Sequence, residues 1–231
     1  NSDEMNSVVG TDFQYRNSNF IGGNTLEVNL YALGTYVEDG GGLEPAWSAN
    51  ARLYDRNIEL AASAIEIGDD FNPAMGFVQR QGTRVYKIAA DYVPYHDNID
   101  WLRNTRHGYE VELYTDLGND VVNTKQQFNL MSLYLESQDV IKFDISHLTD
   151  RPNKDFAISD GSIIPAGNYD WWEVRMFAYM GMQRSLFLRP MYRVGGFYDG
   201  TRQEVSLETF YRPWPKLLVG GEYSVNLIDW D

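Results

Sequence analysis

The chain has 231 residues, a formal net charge of −14, 14% aromatic residues and no cysteine. The missing cysteines exclude disulfides, thiolate catalysis and Cys-ligated metals, and the acidic charge without any Lys/Arg-rich run argues against nucleic-acid binding. The length suits one large all-β domain, and the many Tyr, Phe and Trp residues favour strands. The sequence has no apolar run of about 18–20 residues, the length that predicts a transmembrane helix.

Strand-like segments follow one another along the whole chain, with turn residues between them. None has a convincing helical period, and no shift in composition marks a domain boundary, so we expect residues 1–231 to form a single domain. Several segments exceed ten residues, which is long for an ordinary strand but suits a tilted membrane-spanning strand. The twelve predicted strands are Ser7–Arg16, Asn24–Val37, Ala46–Arg56, Ile58–Gly68, Thr83–Tyr95, His107–Leu117, Val121–Glu136, Asp139–Thr149, Asn168–Gly181, Ser185–Tyr198, Thr201–Arg212 and Lys216–Ile228.

Apolar and polar side chains alternate within these segments. Side chains of a strand point to opposite faces with a period of two, so each such segment has one apolar and one polar face. In one segment, the alternating sets are Tyr109, Val111, Leu113, Thr115 and Leu117 against Glu110, Glu112, Tyr114 and Asp116. The pattern predicts an antiparallel meander of about twelve long strands.

Turn residues between the segments predict hairpins. Asp199-Gly200 suits a two-residue type I′ turn, which needs positive φ angles. Two connections, Asp69–Gly82 and Asp150–Gly167, are long, whereas most others are short. Outer-membrane barrels have short periplasmic turns and long external loops, and only the predicted loop His96–Arg106 departs from that alternation.

The charge on the polar faces indicates which face points inwards. Positively and negatively charged residues lie close together on single strands, as with Arg202, Glu204 and Glu208. Aromatic residues lie near the strand ends, where outer-membrane barrels carry aromatic girdles. Alternation alone leaves open a soluble sandwich with aromatics capping its core. We favour a barrel with a charged lumen. The residues predicted to face the lumen are Glu110, Glu112, Asp116, Lys142, Asp144, Glu173, Arg175, Arg189, Arg193, Arg202, Glu204, Glu208, Arg212 and Glu222.

The three histidines do not form a recognisable catalytic or metal motif. None of His96, His107 and His147 has a carboxylate at a spacing such as H-E-x-x-H. Ser146 and His147 are adjacent, so in a strand they point to opposite faces and cannot form a nucleophile–base pair. A barrel hydrolase that uses His107 with Asp116 is a weaker alternative. We therefore predict no enzyme activity and no catalytic residue.

Acidic residues in the loops are the remaining candidates for metal binding. Asp69 and Asp70, and the series Asp150, Asp155 and Asp160, could supply oxygen ligands to Ca²⁺. Their spacing matches no EF-hand loop, and solvated loops explain them better. We predict no metal and no cofactor.

Four segments form a set of familiar motifs. They are Phe71–Val78 followed by Arg80 and Arg84, Tyr114–Leu117, Ile164–Asp170 and Phe197–Arg202. In this order they resemble a bacterial domain-of-unknown-function family of large predicted outer-membrane proteins. In that family the barrel-like domain follows an N-terminal module similar to family 9 carbohydrate-binding modules. The resemblance extends over nearly the whole chain, and it implies a bacterial outer-membrane location, a barrel architecture and a link to glycans, but no catalytic residue.

The function predicted from these observations is an outer-membrane barrel that acts as a pore, a transport component or a surface anchor. Its partners would be outer-membrane lipid and a possible glycan ligand. The alternative is a soluble or periplasmic β-sandwich that binds carbohydrate through aromatics such as Trp171 and Trp172. We further expect the chain to be the C-terminal part of a larger barrel. Its edges near Val9 and Val225 would then pair with further strands of the same protein or of a partner chain.

Overall fold

The computed structural model describes residues 6–37, 42–73, 76, 78, 80–159 and 162–230. Their fold is all-β, as predicted, and in this part of the chain no helix has the length and apolar character needed to cross a membrane. The strands in chain order are β1 (Asn6–Phe20), β2 (Asn24–Val37), β3 (Glu44–Tyr54), β4 (Ile58–Ile67), β5 (Thr83–Tyr92), β6 (Leu102–Asp116), β7 (Val121–Leu135), β8 (Val140–Asp150), β9 (Phe156–Ser159), β10 (Ser162–Ile164), β11 (Tyr169–Tyr179), β12 (Leu186–Phe197), β13 (Gly200–Trp214) and β14 (Leu217–Trp230).

One sheet contains twelve of these strands. Its order is β1-β2-β3-β4-β5-β6-β7-β8-β11-β12-β13-β14, so strands that follow each other in the chain lie side by side, and β9 and β10 form a separate hairpin. The predicted antiparallel meander is therefore confirmed. Among the described residues, β1 and β14 each have one neighbour, so the sheet does not close on itself.

The chain divides into two compact units, which are described separately. Unit 1 comprises Asn1–Ala90 and Val111–Thr124, and unit 2 comprises Asp91–Glu110 and Lys125–Asp231.

Two connections of unit 1, those between β1 and β2 and between β3 and β4, are short turns. Between β1 and β2, Gly22 and Gly23 adopt φ angles of 73° and 84°, a region that glycine enters without steric cost. Between β3 and β4, the carboxylate of Asp55 accepts hydrogen bonds from the backbone N–H groups of Asn57 and Ile58 at 2.6 and 2.7 Å. These bonds favour the charged carboxylate and lower the pKa of Asp55.

A side-chain contact joins two neighbouring turns of unit 2. Asp139, at the end of the β7–β8 turn, pairs with Arg184 in the β11–β12 turn, with one hydrogen bond at 2.8 Å. Asp139 also accepts the backbone N–H of Gly181 at 2.8 Å. The hydrogen bonds from Arg184 hold the pKa of Asp139 well below its usual range. The two hairpins are thereby tied together beyond the ladder of the sheet.

Two predicted connections differ from the structure. The loop predicted at His96–Arg106 is shorter, because β6 begins at Leu102 and the backbone N–H of His96 already donates to the carbonyl of Arg103 at 3.1 Å. The long connection predicted at Asp150–Gly167 contains the hairpin of β9 and β10. Both predictions failed because short pairings within a connection depend on contacts that alternation does not encode.

The tight turn between β12 and β13 also lies one residue earlier than predicted. Phe197 pairs with Gly200, so the two turn residues are Tyr198 and Asp199, and Tyr198 has a φ of 53°. Gly200 belongs to β13, where a Cβ atom would lie 2.3 Å from the carbonyl oxygen of Asp229. Close approach of β14 therefore explains this glycine better than turn geometry does.

Candidate functional site

The strand register of unit 2 collects charged residues on one side of the sheet. Cα partners in adjacent strands point to the same side, and these partners include Asp144 with Arg175, Arg193 with Glu204 and Arg189 with Glu208. We call this side of β8 and β11–β14 the charged face. Its charged residues are Lys142, Asp144, Glu173, Arg175, Arg189, Arg193, Arg202, Glu204, Glu208, Arg212 and Glu222. All of them belong to the set predicted to face a lumen, although the lumen itself stays a prediction.

Asp144 is the most deeply buried carboxylate of this face, and it forms an ion pair with Arg175. Asp144 is 2% exposed, and one of its oxygens accepts hydrogen bonds from Nη2 and Nε of Arg175 at 2.7 and 3.3 Å. Its other oxygen, Oδ1, is buried without a hydrogen-bond partner among the described residues. Removal of Arg175 would leave the charge of Asp144 buried without a partner, which is strongly destabilising.

Glu173 links two arginines on neighbouring strands. It is 8% exposed, accepts a hydrogen bond from Nη2 of Arg202 at 2.8 Å and lies 4.0 Å from Nε of Arg193. Arg193 lies 3.5 Å from Glu204 as well. We call Glu173, Arg193, Arg202 and Glu204 the ion-pair network, since it connects β11, β12 and β13 through alternating charges.

A glycine makes the central contact of this network possible. Glu173 lies on β11 and Arg202 on β13, and Gly195 of β12 is the Cα partner of both. A Cβ atom on Gly195 would lie 2.5 Å from Cα and 3.0 Å from Cβ of Glu173. The missing side chain therefore leaves room for Glu173 and Arg202 to meet across β12. The sequence analysis missed this role, although two consecutive glycines inside an aromatic-rich strand were a usable sign.

The other predicted residues of unit 2 do not join the network. Arg189 pairs with Glu208 at 3.2 Å, and the guanidinium of Arg212 lies over the ring of Phe187 at 5.9 Å. Lys142 and Glu222 make no side-chain ion pair within the described residues, and Glu222 has Glu208 as its Cα partner. Two like charges directly opposite each other destabilise a strand pair.

Two ion pairs of unit 1 are more open to solvent than the contact between Glu173 and Arg202. Arg16 lies 3.3 Å from Glu27, and Arg52 lies 2.8 Å from Glu59. Of the residues predicted to face a lumen, Glu112 lies 3.7 Å from Lys87.

Two further residues of the predicted set, Glu110 and Asp116, lie on β6 at an even number of residues from Glu112, so they share its side of the strand. Glu110 belongs to unit 2 and Asp116 to unit 1. Oδ1 of Asp116 accepts the backbone N–H of Asp120 at 2.9 Å and so closes the turn after β6. Asp116 therefore stabilises the turn after β6, and it forms no ion pair with another described residue.

The side opposite the charged face in unit 2 is apolar and exposed. We call it the apolar face. Trp172 is 54% exposed, Val205 49% and Tyr223 68%. Other exposed apolar residues of this face are Ile141, Met176, Leu186, Tyr192, Leu207, Tyr211, Val219 and Leu227. Exposure is thus inverted relative to a water-soluble sheet, because the carboxylates Asp144 and Glu173 are buried while large apolar side chains are exposed.

The two adjacent tryptophans of β11 lie on opposite sides of the sheet. Trp172 packs against His147 on the apolar face with ring centroids 4.8 Å apart. Trp171 lies on the charged side, where it contacts Phe197 and Tyr198 with centroids 6.2 and 5.0 Å apart. The two indole rings therefore belong to different sides of the sheet, and the alternative of a carbohydrate-binding sandwich stays a prediction.

Tyr198 is the centre of an aromatic cluster at one end of β11 and β12. Its ring contacts Phe156, Tyr169, Trp171 and Phe197, and its hydroxyl donates to Asp150 at 2.7 Å. Burial, and then the hydrogen bond to Asp150, raise the pKa of the Tyr198 hydroxyl well above its usual range. The cluster attaches the β9–β10 hairpin to the sheet through Phe156.

The histidines have structural partners. His107 contacts the carbonyl of Leu130 at 2.7 Å, and His96 contacts the hydroxyl of Thr105 at 3.1 Å. His147 lies on the apolar face, 3.6 Å from Asp170, while Ser146 points to the charged face. The predicted separation of Ser146 from His147 is therefore confirmed.

Two of the candidate calcium ligands, Asp150 and Asp155, accept backbone hydrogen bonds in the connection between β8 and β11. Asp155 accepts the backbone N–H of Ala166 at 2.8 Å, whereas Asp160 lies outside the described residues. In the described part of the chain, no group of His, Asp or Glu side chains could hold a metal ion. Of the motif Phe71–Val78, residues Ala74, Met75 and Phe77 also lie outside the described residues.

Comparison of the chain with protein-family models, curated proteins and solved structures gives no match. The resemblance to a family of predicted outer-membrane proteins therefore stays a prediction.

Proposed function

We propose that this chain is part of a bacterial outer-membrane β-barrel that acts as a pore, a transport component or a surface anchor. The single observation that carries the proposal is the inverted exposure of unit 2. Apolar side chains such as Val205 and Tyr223 are exposed, whereas Asp144 and Glu173 are shielded. A barrel in lipid needs this arrangement, since its outer surface contacts hydrocarbon and its interior is polar.

Charge pairing on the charged face supports the same proposal. Each carboxylate of the ion-pair network lies beside an arginine, and the planar guanidinium pairs well with carboxylates in confined spaces. Buried charges that lacked partners would be strongly destabilising. A confined polar interior therefore explains why arginines and carboxylates alternate here.

The turns of unit 2 give the proposed orientation. The connection 151–168 leaves β8 at the end of the sheet where Tyr198 and Asp199 join β12 to β13. The turns 136–139, 180–185 and 215–216 lie at the other end and are short. Because outer-membrane barrels have long external loops and short periplasmic turns, the end with Tyr198 would be external. A link to glycans rests on the family resemblance alone.

Adjacent residues of β13 offer a matched test. Val205 lies on the apolar face near the middle of the strand, and Ser206 lies on the charged face. Arginine near the bilayer midplane of a barrel costs about 2–4 kcal/mol on the lipid side, whereas a lumen position tolerates it. We expect Val205→Arg to lower the free energy of unfolding in lipid vesicles by that amount and Ser206→Arg to change it little.

The reverse order of these two variants, or a protein that folds and stays monodisperse without detergent or lipid, would refute the proposal. The second result would favour the alternative, a soluble β-sandwich. Denaturant titration of vesicle-folded protein, followed by tryptophan fluorescence, measures both variants under one condition.

A further inference from the structure

Two arginines lie side by side on the charged face. Arg175 of β11 and Arg193 of β12 are Cα partners, so their side chains leave the sheet on the same side from adjacent positions. Asp144 on β8 and Glu204 on β13 flank this pair as the next Cα partners along the row. Like charges at directly opposite positions destabilise a strand pair, and an anion in contact with both would remove that repulsion.

The flanking carboxylates leave part of both guanidinium groups without a partner. One oxygen of Asp144 accepts from Nε and Nη2 of Arg175, and Nη1 has no hydrogen-bond partner among the described residues. Arg193 lies 3.5 Å from Glu204 and 4.0 Å from Glu173, and it forms no hydrogen bond within the described part of the chain. Its Nε is buried without a described partner. Because a guanidinium has five N–H donors, both arginines can donate to a further anion.

The arginines also lie closer to solvent than the carboxylates beside them. The side chains of Arg175 and Arg193 are 33% and 25% exposed, against 3% and 9% for the side chains of Asp144 and Glu173. The surface at this position is therefore formed more by guanidinium groups than by carboxylates. An anion that approaches the charged face here meets positive charge first.

Lys142 adds a third cation next to the arginine pair. It lies two residues before Asp144 on β8, and its Cα partner Phe177 lies two residues after Arg175 on β11. Lys142 is thus diagonal to Arg175 on the same side of the sheet, at a separation that long side chains can span. Its ammonium forms no ion pair with a described residue.

A count of the charges at these positions gives the same sign. The cations are Lys142, Arg175, Arg193 and Arg202, and the carboxylates are Asp144, Glu173 and Glu204. Four positive charges and three negative charges leave a local excess of one positive charge, in a chain whose net charge is −14. The excess is therefore confined to this part of the charged face and is not a property of the whole chain.

We propose that Arg175, Arg193 and Lys142, the cation cluster, bind a small anion that carries a carboxylate or phosphate group. The planar fork of donors on arginine matches the oxygens of both groups. The site depends only on the register of β8, β11 and β12. Its meaning rests on the proposed function, since a cation cluster on a lumen wall would favour anionic solutes over neutral and cationic ones.

Inorganic phosphate is the probe for the cation cluster. We expect the detergent-folded protein to bind it saturably in isothermal titration calorimetry at fixed ionic strength. Arg193→Gln should weaken binding about tenfold, because it removes a charge-assisted contact, and Lys142→Gln should weaken it by a smaller factor. Arg193→Gln leaves Glu173 with Arg202, so the fold keeps its central contact. The control Arg16→Gln removes the same charge in unit 1 and should leave the dissociation constant unchanged.

Met191→Glu tests the cation cluster from within the chain. Met191 lies two residues before Arg193 on the same side of β12, and its Cα partner is Phe177. A carboxylate at this position would reach the arginine pair and take the place of the bound anion. We expect this variant to lose phosphate binding while its denaturation midpoint stays the same or rises. Phosphate binding as tight as in the unsubstituted protein would contradict the assignment.

Two further results would overturn the inference. One is the absence of saturable binding of both phosphate and acetate, and the other is equal weakening by Arg16→Gln and Arg193→Gln. The tighter of the two anions identifies the class of solute. Protein that folds in vesicles but binds neither anion would leave the membrane proposal intact. Protein that binds phosphate yet stays monodisperse without detergent or lipid would keep the anion site and refute the membrane proposal.

Discussion

The two units use the same kinds of charged residue in different ways. In unit 1, the pairs Arg16–Glu27 and Arg52–Glu59 are partly open to solvent. In unit 2, Glu173 contacts two arginines at once, and its side chain is shielded. Exposed pairs contribute about 0–1 kcal/mol each, whereas breaking a buried pair costs about 3–5 kcal/mol. The difference indicates that the fold depends more on Glu173 than on Glu27 or Glu59.

The largest expected effect follows from removing the shared carboxylate. Glu173→Gln leaves Arg202 and Arg193 without their common partner, so we expect the free energy of unfolding to fall by about 3–5 kcal/mol. The matched variant in unit 1, Glu59→Gln, should cost at most about 1 kcal/mol because Arg52 stays partly solvated. Denaturant titration of both variants measures the contrast. Equal losses would remove the proposed difference between the units.

A smaller effect is expected when a side chain is added at Gly195, where Glu173 and Arg202 meet across β12. In Gly195→Ala the new methyl group would meet the carbonyl oxygen of Trp172 at 2.3 Å and Glu173 at 2.5 Å. Overpacking of this kind typically costs about 1–3 kcal/mol. Gly221→Ala is the control, since a Cβ atom there has no neighbour within 4 Å among the described residues. If both variants had the same denaturation midpoint, Gly195 would not be needed for the contact between Glu173 and Arg202.

The smallest expected effect concerns the turns and depends on pH. The pKa of Asp139 is lowered in the folded protein by Arg184, so this carboxylate stabilises the fold above its unfolded pKa of about 3.9. That stabilisation is lost as the pH falls towards the folded pKa. We expect Asp139→Asn to cost about 1 kcal/mol at pH 7 and progressively less between pH 5 and pH 2.

Asp55 of unit 1 provides the comparison for this pH effect. Among the described residues its carboxylate accepts hydrogen bonds only from the backbone N–H groups of its own turn, whereas Asp139 ties two hairpins together. Asp55→Asn should therefore shift the midpoint less than Asp139→Asn at pH 7. A destabilisation by Asp139→Asn that did not change with pH would show that the carboxylate charge is not what stabilises these turns.

Alternation was sufficient to predict the meander. The twelve predicted segments correspond to the twelve strands of the sheet, since a period of two is a local property of the chain. It could not predict where β6 begins, because His96 and Arg103 pair within a segment that has no regular alternation. The hairpin of β9 and β10 was missed for the same reason, as its position depends on contacts such as that of Phe156 with Tyr198.

The side of the sheet on which charges lie was predictable, but their partners were not. Glu173 and Arg202 are far apart in sequence, and they meet only because the register sets both opposite Gly195. A shift of one residue in that register would move every side chain to the other side. The contacts between charged residues therefore depend on how the strands are assembled. The side of the sheet that a charged residue shares with others depends only on its position within its own strand.

The shielding of Glu173 also sets how the molecule should respond to salt. The Debye length falls from about 30 Å at 0.01 M to about 3 Å at 1 M ionic strength, and it is the exposed charges that salt screens. Arg16, whose side chain is mostly exposed, would lose its attraction to Glu27 first. The contact between Arg202 and Glu173 excludes most solvent ions and would persist. Concentrated salt should therefore weaken the pair Arg16–Glu27 while it leaves the contact between Arg202 and Glu173 almost unchanged.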